Sequence, residues 1–251
     1  MIANRKLKGE IMKNTAVLGA NDEYVQQTKE YGRKDALIAL ILYVVMILEF
    51  VLMGKIFVQK SSPMTETYIF CVTSIVSLNI IGFVFLLCSI RRQKLVTVGF
   101  SKTQAKKSFA VGMILFILVV LFGSIWTIIS GLKIQTNIGV IIMRIIYYLV
   151  FIGFMEELVF RGYIGTRLYG YFTNKRLSLV IVGIMFSLLH IPFHMVLIQM
   201  SLSEYLLVNW INLIYIFIFQ FVFQWLYSKY NSIVAPTIFH FIWDFIQWFI
   251  I

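Results

Sequence analysis

Apart from Arg144, eight acidic, basic or histidine side chains lie inside or at the end of long apolar stretches of this 251-residue sequence. An ionisable group at the centre of a membrane helix costs roughly 2.5–3.5 kcal/mol on insertion scales, so each one needs an explanation. Carboxylates and imidazoles in an apolar setting suit general acid–base chemistry, the holding of a water molecule, or metal binding. The eight include all three histidines of the chain and are Glu49, Glu156, Glu157, Arg161, His190, His194, His240 and Asp244.

Helical spacing groups these residues further. Glu157 and Arg161 are four residues apart, which predicts an ion pair on one face of a helix with a structural role. Glu156 then points about 100° away and stays free for chemistry. His240 and Asp244 have the same four-residue spacing. The side chain at 244 could donate a hydrogen bond to an oxyanion or accept one from His240.

The elements that position these groups follow from composition. The chain is 60% apolar and 13% charged, whereas soluble proteins are nearer 45–50% apolar and about 25% charged. A water-soluble domain is therefore excluded. The apolar runs do not alternate in short units as the strands of a membrane barrel would. We predict an all-α, polytopic transmembrane helical bundle.

Seven apolar runs are long enough to cross a hydrocarbon core of ~30 Å, with an eighth, re-entrant piece as an alternative. We expect a cytoplasmic N-terminal tail over 1–35, three transmembrane helices over 36–130, and a C-terminal transmembrane domain over 138–251 that carries seven of the eight ionisable groups. The seven runs are 36–54, 67–90, 108–130, 138–160, 178–200, 205–227 and 232–251.

The basic residues orient the bundle. Most of the 22 Lys and Arg residues fall on one side of it, and three, Lys55, Lys60 and Lys133, fall on the other. The positive-inside rule then predicts a multi-pass protein of the plasma membrane with its N-terminus in the cytoplasm and its C-terminus outside. The basic segment 91–108 is expected to lie in the interface or to form a solvated loop. The net charge of +11 predicts contact with anionic membrane lipid and not with nucleic acid.

Three of the groups are predicted to lie at depths in the membrane that would allow them to meet. Measured from the cytoplasmic ends of their runs, Glu156 lies roughly 6 Å deep, His240 roughly 12 Å and His190 roughly 18 Å. A glutamate and two histidines from three helices can therefore meet at one point, where they could activate a water molecule. His194 lies about 6 Å beyond His190. The HxxxH spacing lacks the glutamate of a zinc-binding HExxH motif, so we predict a structural role for His194.

Three sequence motifs contain these residues. Residues 156–162 read EExxxRG, residues 186–190 read FxxxH, and residues 240–244 read HxxxD. Three motifs in this order, each at a span, resemble the CAAX protease and bacteriocin-processing family, also called CPBP or Abi. The resemblance covers about residues 140–251. The first three spans are similar to the family only in being apolar.

The resemblance implies an intramembrane, glutamate-dependent endopeptidase that cleaves a peptide or small membrane protein. Eukaryotic members act on prenylated CAAX proteins, and bacterial members are linked to bacteriocin processing and self-immunity. It assigns Glu156 as the water-activating base and His190 as its partner. It assigns oxyanion stabilisation to His240 and the residue at 244, where the prenyl proteases usually carry asparagine. An ionised Asp244 cannot donate to an oxyanion, so it is either protonated or orients His240.

In the same family, Glu157 and Arg161 would hold the helix in shape. No cofactor is certain, because both a metal-dependent and a base-only mechanism are open. A divalent metal such as zinc would be held by Glu156, His190 and His240, which would make the protein a metalloprotease.

Two other classes of function compete with the protease. One is a non-catalytic immunity or regulatory scaffold on the same fold. The other is a transporter that uses the buried Glu/His set as a proton or metal relay. A transporter would be expected to carry polar groups in both halves of the bilayer, yet the outer half is almost bare apart from Glu49 and Arg144. We predict that Glu49 is a packing or interface carboxylate and that Arg144 extends to the outer interface.

Overall fold

A computed structural model describes residues 17–60 and 64–251, which form eight helices and, within that part of the chain, no β-sheet beyond two isolated bridges. The predicted all-α bundle is confirmed. Of the predicted N-terminal tail, 1–35, residues 1–16 lie outside the described residues. The helices are α1 (Asp22–Thr28), α2 (Arg33–Gln59), α3 (Glu66–Ile90), α4 (Ala105–Ser130), α5 (Ile138–Tyr171), α6 (Lys175–Ile198), α7 (Leu202–Tyr230) and α8 (Val234–Phe249).

Six of these helices, α2 to α7, are long and apolar enough to cross a membrane. They correspond to the first six predicted runs. The seventh run forms α8, whose 16 residues extend about 24 Å, which is short of a ~30 Å hydrocarbon core. The remaining described helix, α1, has seven residues and is too short to be an eighth span. The protein is a multi-pass membrane bundle.

Helix α5 is longer than the sequence predicts. Its end was expected at residue 160, but the helix continues to Tyr171. The expected end is wrong because Arg161 and Arg167, which suggest a polar boundary, are both fully buried in the protein. Glu156 therefore lies about 20 Å from the C-terminal end of its helix, not roughly 6 Å.

The middle of α5 departs from regular α-helix. Two stretches of π-helix, Tyr147–Phe154 and Leu158–Gly165, flank a short α-helical turn, Met155–Glu157. The π-helix is rare and is frequently found at functional sites, because its extra residue per turn changes the direction in which side chains point. The turn that carries both glutamates is thus enclosed by irregular helix on each side.

The apolar core of the described residues consists of two main clusters of buried side chains and a small third one around Ile191, Tyr205 and Leu213. The larger one lies among α2, α3, α5 and α6 and includes Leu42, Leu158 and Leu189, each fully buried. The smaller one lies mainly among α4, α7 and α8 and includes Phe223 and Ile242. Side chains of α5 belong to both clusters. The glutamates of α5 therefore lie where the two clusters meet.

The connection between α3 and α4 is partly built into the fold: residues 97–99 are buried, whereas its basic side chains, Arg91, Arg92, Lys94 and Lys102, are exposed. It contains a 3₁₀ turn, Leu95–Val98, followed by Gly99 with φ +96°, a region that favours glycine. The carbonyl oxygen of Gly99 accepts a hydrogen bond of 3.0 Å from the backbone N–H of Ile233, just before α8. A Cβ atom at Gly162 would lie 2.8 Å from the carbonyl oxygen of Val98. The glycine of EExxxRG therefore permits close approach of α5 to this connection.

Candidate active site

The EExxxRG turn of α5 places an ion pair inside the bundle. Glu157 Oε1 lies 3.0 Å from Arg161 Nη1, and both side chains are fully buried. The guanidinium carbon of Arg161 lies 4.3 Å from the ring centre of Phe186 and 4.8 Å from that of Phe223. These aromatic faces add cation–π attraction to the ion pair. The pair expected from the four-residue spacing is present in the structure.

His240 lies between the two glutamates. Its Nδ1 is 2.7 Å from Glu157 Oε1, and the imidazole N–H at this position donates to the carboxylate. Its Nε2 lies 3.7 Å from Glu156 Oε2. The imidazole also stacks on the ring of Phe223, with 4.8 Å between the ring centres. Glu157 therefore orients the imidazole, and the opposite ring nitrogen faces Glu156.

Asp244 contacts the same ring nitrogen from one turn further along α8. Its Oδ2 lies 3.4 Å from His240 Nε2. A nitrogen lone pair facing two carboxyl oxygens would be repelled, so at least one proton lies among Glu156, Asp244 and His240 Nε2. Of the two roles considered for Asp244, this geometry favours the contact with His240.

His190 has one ring nitrogen engaged by its own helix. Its Nδ1 lies 2.9 Å from the carbonyl oxygen of Phe186. Because a carbonyl can only accept, Nδ1 carries the proton and donates it. In the neutral imidazole, Nε2 is then a hydrogen-bond acceptor. This tautomer suits a side chain that receives a hydrogen bond from water.

A cavity of about 400 Å³ joins the four side chains that the sequence indicates as catalytic: Glu156, His190, His240 and Asp244 all line it. Glu157 and Arg161 are absent from the lining and lie behind it. His194, for which a structural role was predicted, also lines the cavity and stacks on Tyr205 at 6.4 Å between ring centres. Much of the remaining lining is aromatic and includes Phe50, Tyr147, Phe186, Phe219 and Trp243.

The metal hypothesis has limited support from these side chains. Within residues 17–60 and 64–251, no three His, Cys, Asp or Glu side chains form a group that could hold a metal ion. Glu157 engages Nδ1 of His240 and a backbone carbonyl engages Nδ1 of His190, so Nε2 of each ring is left for a ligand, as is usual for metal-bound histidines. A zinc site of Glu156, His190 and His240 therefore stays a prediction.

Two features of the site are not evident from the sequence patterns. The first is the contact from Glu157 to His240. The two adjacent glutamates were the only sequence feature that could have suggested it. The second is the aromatic enclosure of Arg161. Phe186 begins the FxxxH motif, but no motif marks Phe223 on α7.

Arg144 extends to the end of the bundle where α3 begins, but its partner there is a protein carboxylate. Arg144 is 8% exposed and forms an ion pair with Glu66, in the first turn of α3. Its guanidinium carbon lies 4.9 Å from the ring centre of Tyr147 and 5.4 Å from that of Trp248. A carboxylate and aromatic faces inside the protein replace the headgroup contacts. Since Tyr147 lines the cavity, this pair supports one of its walls.

The long apolar helices define a multi-pass membrane protein, and carboxyl and imidazole side chains line a cavity in it. Residues 138–246 match the model of the type II CAAX prenyl endopeptidase Rce1-like family. The resemblance inferred from the three motifs is therefore confirmed over these residues, which include all three. The description of this family is that of an endopeptidase.

The relative found among curated proteins is similar over a shorter stretch. It is the UPF0177 protein YxdF of Lactococcus lactis, which is 33% identical over 85 residues. The alignment covers 34% of this chain and 37% of that relative's length. No solved structure matches the chain.

Proposed function

We propose that the protein is an intramembrane endopeptidase in which Glu156 is the general base. The observation that carries this proposal is the position of the Glu156 carboxyl group. It is 6% exposed and lines the cavity, and within the described residues its Oε2 has no hydrogen-bond partner in the protein. A buried carboxyl group without a structural partner, 3.7 Å from an imidazole nitrogen, is suited to proton transfer.

The first step is the activation of water. Glu156 takes one proton from a water molecule, and the resulting hydroxide attacks the carbonyl carbon of the scissile peptide bond. His190 Nε2 accepts a hydrogen bond from the same water molecule, because its Nδ1 proton is held by the carbonyl of Phe186. Glu156 and His190 together hold the water in one orientation, which lowers the entropic cost of the attack.

The second step is the breakdown of the tetrahedral intermediate. The attack has moved the electron pair of the carbonyl to oxygen, and the proton held between His240 Nε2 and Asp244 donates a hydrogen bond to this oxyanion without leaving the pair. Glu156 then gives its proton to the amide nitrogen. The electron pair of the oxyanion re-forms the C=O bond as the C–N bond breaks, which releases a carboxylic acid and an amine. Glu157 takes no proton in this sequence. It keeps His240 in place through the hydrogen bond to Nδ1.

The surroundings of the cavity support an apolar substrate. A groove of about 750 Å³ adjoins the cavity, and Trp243 and Gln247 line both. The other groove residues are almost all apolar and include Phe122, Trp126 and Ile246. A peptide or small membrane protein with an apolar segment next to the scissile bond fits this surface.

The biological setting belongs to the same proposal. We place the protein in the plasma membrane with its N-terminus cytoplasmic and its C-terminus outside, in contact with anionic lipid, because the basic residues are asymmetric. Although α8 is short, its two ends support this orientation. Ile233, just before α8, bonds to Gly99 of the α3–α4 connection, and Ile251, after α8, bonds to Lys133 of the α4–α5 connection. Bacteriocin processing or self-immunity is the role proposed by analogy with bacterial members of the family. Zinc dependence is the alternative to the base-only mechanism.

Cleavage assays with a matched pair of variants test this function. The full-length protein would be placed in phosphatidylcholine vesicles with internally quenched peptides, one set with a transmembrane segment and one with a farnesylated CAAX end. Glu156→Gln should lower turnover by about 10²–10⁴-fold, the usual contribution of a general base. Its thermal unfolding should not change, because the amide is nearly isosteric. Glu30→Gln, at an exposed carboxyl outside the site, should cleave normally.

Near-normal cleavage by Glu156→Gln would exclude the assigned base. Absence of cleavage by the wild-type protein against every peptide would favour the non-catalytic scaffold. Mass spectrometry of membrane peptides, from cells with the wild-type protein and cells with Glu156→Gln, would then identify any natural substrate.

A further inference from the structure

One polar contact lies on the outer surface of the bundle. Asn79 on α3 donates from Nδ2 to Glu49 Oε1 on α2, at 2.5 Å. Asn79 is exposed and Glu49 is half-buried. Neither side chain lines the cavity, so the proposed chemistry does not account for either of them.

Both residues lie near the middle of long apolar helices. Glu49 is about 24 Å from the start of α2, and Asn79 is about 20 Å from the start of α3. The two helices are 27 and 25 residues long. At these positions an exposed side chain faces hydrocarbon and not water or lipid headgroups. The contact is therefore a polar group on the lipid-facing surface.

The contact leaves hydrogen-bonding capacity unused. A carboxamide has two N–H donors and an acceptor oxygen, and a carboxyl group has two oxygens. Within the described residues, the single hydrogen bond between Asn79 and Glu49 is the only side-chain hydrogen bond of either residue. Lipid tails can supply no partner for the remaining groups, so exposing them is costly. A polar group of another membrane helix would remove this cost.

The surface around Asn79 has the composition of a helix–helix contact. Residues Cys71, Ile75, Asn79, Gly82 and Leu86 are exposed and follow one another at intervals of three or four on α3. A Cβ atom added to Gly82 would meet nothing within 4 Å, so the surface there is open. In membranes, small residues allow helices to approach closely, and polar residues form hydrogen bonds across the interface.

We propose that this face, formed by Glu49 and the α3 stripe from Cys71 to Leu86, binds a second copy of the chain in a two-fold symmetric dimer. Asparagine carries both a donor and an acceptor, so two Asn79 side chains that meet across the axis satisfy each other. An unrelated partner would need its own polar residue at the same depth, whereas a second copy always supplies one. The dimer is independent of the proposed protease function.

Energy transfer in membranes tests the dimer. Full-length protein carrying a donor or an acceptor dye would be mixed in phosphatidylcholine vesicles at a series of protein-to-lipid ratios. The wild-type protein should show concentration-dependent transfer that saturates as a dimer. Asn79→Leu should raise the dissociation constant by about tenfold or more, the effect of losing interhelical hydrogen bonds in a membrane. Gly82→Leu should also weaken the dimer by filling the open surface, without disturbing an internal contact.

The matched control is Asn209→Leu on α7. Asn209 already donates to the carbonyl oxygen of Tyr205 on its own helix, at 3.1 Å, so its loss should leave energy transfer unchanged. A wild-type protein that is monomeric at every ratio overturns the proposal, even if it binds a different membrane protein. Equal transfer in the wild type, Asn79→Leu and Gly82→Leu overturns it as well, because the dimer would then use another surface.

Discussion

Two arginines of α5 are both fully buried, but their surroundings differ in charge. Arg161 lies beside the carboxylate of Glu157, and the same carboxylate oxygen accepts a hydrogen bond from His240. Arg167, six residues later, has no carboxyl group within ion-pair distance in the described part of the chain. One buried cation is therefore balanced by a charge, and the other is held by neutral dipoles.

Neutral groups nonetheless provide hydrogen-bond acceptors for both Nη atoms of Arg167. Its Nη1 donates to the carbonyl oxygen of Gly162 at 2.9 Å and to that of Thr97 at 3.2 Å. Its Nη2 donates to Gln93 Oε1 at 2.6 Å. The guanidinium carbon lies 3.9 Å from the ring centre of Tyr163. These contacts attach the α3–α4 connection to α5.

The two arginines therefore have different roles: Arg161 belongs to the proposed active site, whereas Arg167 is an anchor that holds the α3–α4 connection on α5. The carboxylate beside Arg161 also orients an imidazole that faces the cavity, so a change there affects both the charge balance and the proposed chemistry. The partners of Arg167 are uncharged and belong to the backbone or to amide and hydroxyl groups. A change at Arg167 should therefore affect stability alone, and by a smaller amount.

The largest effect on stability is expected from Glu157→Gln. It would leave Arg161 buried without a counter-charge, a situation that typically costs about 3–5 kcal/mol. The free energy of unfolding in detergent should fall by that order, and any folded fraction should cleave poorly because His240 loses its charged acceptor. Glu156→Gln is the control and should unfold like the wild-type protein. If Glu157→Gln is well folded and inactive while Glu156→Gln cleaves normally, the roles of the two glutamates are reversed.

A smaller loss is expected from Arg167→Met. This change removes the donors of several hydrogen bonds but leaves no unpaired charge, so it should cost about 1–3 kcal/mol. Arg161→Met would isolate the Glu157 carboxylate and should cost more, about 3–5 kcal/mol. Unfolding of both variants under the same conditions gives the comparison directly. If Arg167→Met is less stable than Arg161→Met, the proposed difference between a charge-paired arginine and one held by neutral groups is wrong.

The smallest effect is expected from Asp244→Asn. Asparagine keeps an oxygen that can accept a hydrogen bond from His240 Nε2, so turnover should change by no more than about tenfold, the value of one ordinary hydrogen bond. Asp244→Leu removes the acceptor and should lower turnover further. Measured cleavage rates of the two variants test whether Asp244 acts through His240. A complete loss of turnover in Asp244→Asn would instead require the carboxyl group itself in the reaction.

The parts of the fold that depend on composition and periodicity were predictable. Six apolar runs became long helices, and the four-residue spacing of Glu157 and Arg161 became an ion pair. The end of α5 was not predictable, because whether an arginine is solvated or buried depends on residues distant in sequence. Thr97, an acceptor of Arg167, is 70 residues away along the chain. The π-helical turns around the glutamates also have no signature in the apolar pattern.

The sequence by itself determined that the chain forms membrane helices and that its buried acids and histidines lie on three of them. Hydrophobicity and helical repeat are local properties, so both conclusions follow from neighbouring residues. The tertiary structure alone decided which carboxyl group faces which ring nitrogen of His240. Glu157 is 83 residues from His240 and meets Nδ1, while Glu156 faces Nε2. That assignment depends on the packing of α5 against α8, and the packing of two helices is not encoded in the spacing within either one.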